Sequence, residues 1–299
     1  MKTKCYIRNE LQTEKQMKRT QITIIFLLSN LILFAQEIYI SDKLEKIWET
    51  PDILKVSESV CYDADRDILY VSCINGNPTG KDGRGYIAKI SLDGKIVKEK
   101  WVSGLDAPKG MGIYKDKLYV TDIDNITQIN ISTGEVEKHF PVEGAKFLND
   151  IAIGPYGIVY FSDMSTNIIH KLSNGKVEIF LEDPQISSPN GLLYENKDII
   201  IGTKNGVFAA RISDGKIWHL INDTGGIDGL KPDGKGNYII SDWQGKVQLV
   251  NTEKKPEVLL NTSEVGINAA DIEFITRQKL LLIPTFGANS VVAYRILIE

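Results

Sequence analysis

Glu58, Lys109, Asn149, Asn190, Asp228 and Asp271 each stand just before an apolar, strand-like run, at spacings of 51, 40, 41, 38 and 43 residues. Five of the six carry side-chain oxygen. Gathered at one place, they would form a set of hard donors suited to a divalent cation such as Ca²⁺, which takes about six to eight oxygens at flexible geometry. Zinc would call for His or Cys, and His139, His170 and His219 fall on later strands of their repeats, where packing or surface roles are expected. A plainer reading also exists, because Asn190-Gly191 and Asp228-Gly229 are common turn pairs. Their recurrence in register favours the site, since acids and amides meeting on a buried axis without a cation would cost several kcal/mol, roughly, in unpaired charge.

The elements that position these residues follow from the same period. About ten residues after each polar residue comes a β-rich triplet, for example Leu69-Tyr70-Val71, Ile158-Val159-Tyr160 and Leu280-Leu281-Leu282. A repeat near 40 residues with this grammar predicts an all-β fold, a six-bladed β-propeller of four-stranded antiparallel blades, with one residue per blade at the same height on a central channel. In the third repeat the strands are expected over 150–153, 158–162, 168–172 and 177–181, the last pair joined by an Asn174-Gly175 hairpin. The sixth repeat ends after three strands, so the short segment 44–48 is expected to close the ring and remove an exposed edge. The 51-residue spacing comes from a Gly-rich insertion at 75–85, expected as a flexible loop with a lid over one mouth of the channel as the alternative. It has no GKS/T ending and no following helix, so it is not a phosphate cradle. Asp122, Asp163 and Asp242, each after a Ser or Thr, are expected to hydrogen-bond between blades. Trp243 is placed near one mouth of the channel or in blade packing.

Four segments carry a resemblance. Ser57-Glu58-Ser59-Val60, Phe147-Leu148-Asn149-Asp150, Ser188-Pro189-Asn190-Gly191-Leu192 and Ile227-Asp228-Gly229-Leu230 resemble, in order and at blade spacing, the site segments of the regucalcin/gluconolactonase/luciferin-regenerating enzyme family of six-bladed propellers. The likeness spans about residues 50–296. It implies that Glu58, Asn190 and Asp228 hold a divalent cation, most simply Ca²⁺ with Zn²⁺ or Mn²⁺ as alternatives, and that Asn149 completes the set directly or through water and substrate. It further implies hydrolysis of a lactone or related ester, the cation polarising the carbonyl and Asp228 acting as base. Asn149, Lys109 and Asp271 are the expected substrate contacts. Lys109 is read as a charge-balancing partner of Asp271, the alternative being contact with an anionic substrate or oxyanion. The competing functional class is a non-catalytic ligand- or partner-binding propeller.

Composition sets the remaining bounds. A basic Met17-Lys18-Arg19, an apolar run over 22–34 and Ala35 read as a signal peptide over 1–35, with Met17 as an alternative start and an uncleaved anchor as the competing reading. The single domain then covers 36–299, in a secreted or periplasmic protein. Cleavage removes six of 35 Lys/Arg and two of 39 Asp/Glu, leaving 29 minus 37, or −8. Such a surface suits no nucleic acid. The expected partner is a small lactone or sugar-derived substrate, with no membrane after cleavage, and the chain is expected to be a monomer. Cys61 and Cys73 lie on neighbouring strands, but a tight hairpin pairs Cys61 with a residue near Leu69, so a disulfide is not implied.

Overall fold

The structure is a computed structural model that describes residues 15–17, 37–253 and 255–297. The expected cleavage point at Ala35 and the apolar run before it lie outside the described residues. Among the described residues no helix is long and apolar enough to cross a membrane.

From residue 38 onward the chain forms six antiparallel sheets in sequence order, the blades of a propeller. Each blade has its inner strand nearest the axis: Ser57–Asp63, Pro108–Tyr114, Leu148–Ile153, Leu192–Glu195, Leu230–Pro232 and Glu273–Ile275. Second strands such as Ile68–Cys73 and Asp198–Thr203 are almost wholly buried. They are covered on both faces by neighbouring blades, which is why they read as continuous apolar runs rather than alternating ones. Fourth strands such as Val136–Pro141 are largely exposed, and they carry the charge. The cores lie between blades: Val60, Leu69 and Val71 of the first pack with Leu280, Leu282 and Ala293 of the last.

The ring closes as expected. Leu44–Glu49 pairs antiparallel with Val291–Ile296, Leu44 opposite Ile296 and Glu49 opposite Val292, supplying the fourth strand of the last blade. The preceding Tyr39–Ile40 adds a fifth strand to blade 5, against Glu257–Asn261, a covering of that edge not foreseen from sequence. Asn174-Gly175 forms the two-residue hairpin between Ser173 and Lys176, both residues at positive φ, as a type I′ turn requires. Cys61 faces Tyr70 across the first hairpin, and both Cys61 and Cys73 are buried free thiols.

Candidate functional site

Where the ring residues sit, the inner strands break register. Bulges fall between Ser57 and Ser59, Pro108 and Met111, and Leu148 and Ile151, so Glu58, Lys109 and Asn149 are turned out of their own ladders. In the next three blades the strand starts late, and Asn190, Asp228 and Asp271 lie in the segment before it. Neighbouring blades approach closely here. A Cβ on Gly191 would lie 2.5 Å from the Asp228 carbonyl oxygen, and one on Gly229 would lie 2.5 Å from the Ile272 nitrogen. Neither glycine has positive φ. The Asn-Gly and Asp-Gly pairs are therefore contacts between inner strands, not turns.

Hydroxyls tie the blades together. Ser162 Oγ donates to the Asn190 carbonyl at 3.0 Å and accepts from the Asp150 amide at 3.0 Å. Ser241 Oγ donates to the Ala270 carbonyl at 2.7 Å and accepts from the Gly229 amide at 2.8 Å, and Thr121 Oγ1 donates to the Asn149 carbonyl. The aspartates that follow were expected in this role, and the structure corrects that expectation. Asp122 accepts the amides of Asp106 and Ala107 at 3.0 and 2.7 Å, and Asp163 those of Lys146 and Phe147 at 2.8 and 3.2 Å, so each clasps the incoming loop of its own blade. Successive side chains of a strand point to opposite faces, so hydroxyl and carboxylate cannot share one task. Asp242 departs from the pattern and accepts the Gln244 amide at 3.0 Å.

At one mouth of the channel lies a cavity of about 350 Å³ that brings together Glu58, Lys109, Asn149, Asn190 and Asp228. Asp271 is not among its lining residues. All five are buried. Asn190 Nδ2 donates to Asp228 Oδ1 at 2.8 Å, which fixes the amide and leaves Asn190 Oδ1 without a partner; Glu58 Oε2 is likewise buried and unpartnered. Burial, then the charges of Asp228 and Asp271, push the Glu58 carboxyl well above its usual range, with Lys109 pulling the other way. Burial and Asp271 raise Asp228 to about 8, against the hydrogen bond from Asn190.

The expected Lys109–Asp271 pair is not formed. Lys109 Nζ donates to the carbonyls of Pro78 at 3.0 Å and Ala107 at 2.9 Å and lies 4.6 Å from the Phe147 ring centre. Burial lowers its pKa, opposed by Glu58 and Asp122. Its bond to Pro78 anchors the 75–85 insertion, which is also held by Lys81 on Asp124 and by the Gly83 amide on Asp106 at 3.0 Å. Tied down at three points, the insertion forms part of the cavity wall through Pro78.

Asp271 instead latches the closing seam. Its amide donates to the Glu58 carbonyl at 2.9 Å, and its Oδ2 accepts from Ser59 Oγ at 2.5 Å. Burial and Asp150 raise it to about 8, and its countercharge is Lys231. Against the burial that would lower it, Asp271, Glu273 and Asp150 hold the Lys231 ammonium protonated. Asp150 is raised to about 6 by burial, opposed by Lys231 and by the Leu192 and Ile151 amides, each 2.7 Å from its oxygens. Of this second charged group, Asp150, Lys231 and Asp271, the sequence singled out only Asp271, with another partner; Lys231 was missed, and Asp150 showed only in the Asn149-Asp150 doublet.

Among the described residues no three His, Cys, Asp or Glu side chains form a metal cluster. The cavity's donors are two carboxylates and two carboxamides, and the orphaned oxygens of Glu58 and Asn190 fit a hard cation. The histidines stay off the axis: His170 stacks on Phe161, His219 meets Phe208 edge-on, and His139 bonds Thr127 at 3.1 Å. Sequence reasoning also missed most of the apolar wall, Ile74, Pro78, Phe147, Met164 and Phe286, whereas Trp243 does reach the cavity.

No family model matches the sequence, and no curated protein matches it. Among solved structures, a gluconolactonase from Xanthomonas campestris is 16% identical at a TM-score of 0.63, over 85% of this chain and 89% of its own. A putative gluconolactonase is 16% identical at 0.61, over 87% and 96%. Virginiamycin B lyase from Staphylococcus aureus is 13% identical at 0.59, over 87% and 99%. At such identities the likeness is one of fold, and that fold is a six-bladed β-propeller resembling those of the gluconolactonase and regucalcin type.

Proposed function

We propose that this chain is a divalent-cation-dependent hydrolase of lactones or related esters, exported to the periplasm or beyond. The observation that carries the reading is the pair of buried, unpartnered oxygens on Glu58 and Asn190 beside an Asp228 carboxyl with no countercharge bonded to it. Glu58, Asn190 and Asp228 would hold the cation, with Asn149 beside them, and Ca²⁺ suits these donors best. When bound, the cation supplies Lewis-acid polarisation of the substrate carbonyl.

The chain's own residues supply the rest. Asn190 holds Oδ1 of Asp228, leaving Oδ2 to take a proton from the attacking water. Water adds to the lactone carbonyl carbon, the ring C–O bond breaks, and the proton held on Asp228 passes to the departing alkoxide, giving a hydroxy acid. Lys109 keeps a fixed positive charge at the cavity wall, bonded to two carbonyls, where it favours the negative charge developing on the carbonyl oxygen.

Activity on a lactone panel with added Ca²⁺, Zn²⁺ or Mn²⁺ tests the proposal. Cation-dependent turnover is expected, abolished by chelator and reduced about 10²–10⁴-fold in Asp228→Ala, the range for a lost general base. Absence of turnover together with absence of any cation shift in melting temperature would overturn both parts.

A further inference from the structure

The cavity's polar groups lie on its floor, and its wall is apolar. Ile74, Pro78, Phe147, Met164, Trp243 and Phe286 surround the mouth. Ile74, Met164 and Trp243 each directly follow the second strand of a blade, and Phe286 follows one residue later, so four of these six wall residues come from one repeating place in the blade. Trp243 is 48% exposed and meets Phe286 edge-on at 5.4 Å, an arrangement that keeps an aromatic face open to the cavity's entrance. Ile74 is wholly buried against Ala107 and Ile123, which makes this side of the wall rigid.

The floor offers a polyol few free donors, and its open acceptors, Glu58 Oε2 and Asn190 Oδ1, go to the cation in the reading above. Two of the three Lys109 donors are taken by Pro78 and Ala107, and the Asn190 amide is committed to Asp228. A sugar lactone carries hydroxyls around its ring. Those facing Ile74, Pro78, Phe147 and Phe286 would lose water without gaining a side-chain partner, each costing roughly tenfold or more in affinity. An alkyl or aryl substituent, by contrast, gains about fourfold per methylene buried.

We propose that the substrate is a lactone with an apolar substituent, its carbonyl on the polar floor and its chain along Trp243, Phe286 and Met164. This rests on the hydrolase reading above and deepens it. Two measurements keep the ideas separable. The first is calorimetric binding of δ-lactams, inert analogues, with n-alkyl groups of increasing length, beside the lactam of a sugar acid, all in Ca²⁺ buffer. The second is turnover of the matching lactones.

Affinity is expected to rise about threefold to fourfold per methylene for the first few carbons, to exceed that of the sugar lactam, and to lose most of its chain-length dependence in Trp243→Ser. That side chain is half exposed, so the variant is expected to fold; Met164→Gln, with the same expected effect, provides a second probe of the wall. Affinity indifferent to chain length, absence of lactam binding, or tighter binding of the sugar lactam overturns the inference. Chain-dependent binding with no hydrolysis of any lactone overturns the hydrolase reading and supports the apolar ligand class. Hydrolysis confined to the sugar lactone does the reverse.

Discussion

Replacing Asp228 by Asn should stabilise the cation-free protein while abolishing its proposed chemistry. The folded-state pKa of Asp228 is about 8 against 3.8 for an unburied carboxyl. A raised folded pKa means that its contribution to stability is complete below the unfolded value and is lost as pH rises through the folded one. At about 1.36 kcal/mol per unit, a lone group so shifted would forfeit roughly 5–6 kcal/mol. Glu58 and Asp271 influence Asp228 and are themselves raised, so the cost is spread over the three, and with water able to enter the cavity about 2 kcal/mol is expected for the single substitution. The amide retains an oxygen to accept the Asn190 bond, so the Asn190 donor keeps its partner. Calorimetric melting in chelator should show wild type and Asp228→Asn within error near pH 4, diverging to about 4 °C in favour of the variant near pH 8. Saturating Ca²⁺ should reverse the order, since a cation at 100 times its dissociation constant adds about 2.7 kcal/mol to the wild type alone. A variant less stable than wild type in chelator at pH 8, or a difference that ignores pH, would refute the reasoning.

Two further substitutions probe the scaffold that aims the site. Gly229→Ala places a Cβ 2.5 Å from the Ile272 nitrogen and 2.9 Å from Asp271 Oδ1; a loss of about 2–3 kcal/mol by chemical denaturation is expected, with activity falling more steeply than stability because Asp228 adjoins it, and unchanged melting would count against the close-approach argument. Trp48→Ala removes the closing strand's indole from Gly94 and its bond to the Leu92 carbonyl at 2.9 Å; about 2–3 kcal/mol should be lost, and a neutral result would mean that the closing strand contributes little to stability.

The propeller was legible because its signal is periodic. Six polar residues near a 40-residue spacing, each followed by a β-rich run, fix blade number, inner-strand positions and the need for a closing strand. Periodicity also located five residues of one cavity. It could not tell which ring members face the cavity and which face the seam, because Asp228 and Asp271 occupy the same sequence position and differ only in what the neighbouring blade presents. Ser59 draws Asp271 toward the first blade, whereas Asn190 draws Asp228 toward the cavity. Lys231 and Asp150 escaped notice because they lie one to three residues past the repeating position, where each blade has its own residue type. The apolar wall was hidden for a related reason: Ile74, Met164, Trp243 and Phe286 share a place in the blade but not a chemical identity.

The two lysines near the axis stand in different relations to its two charged groups. Asp150 and Asp271 have Lys231 within electrostatic reach, Asp150 accepts two backbone amides and Asp271 accepts the Ser59 hydroxyl, with Asp271 Oδ1 left buried and without a partner. Glu58 and Asp228 have Lys109 within electrostatic reach, yet its ammonium is bonded to the carbonyls of Pro78 and Ala107 and makes no ion pair with either among the described residues. Two of the lysine's donors are held by the Pro78 and Ala107 carbonyls, and neither buried carboxyl is bonded to it beside the orphaned amide oxygen of Asn190. Such an arrangement is costly unless a divalent charge is present. Anchoring the wall and leaving the floor's two carboxyls without a bonded positive partner thus follow from the placement of the same lysine.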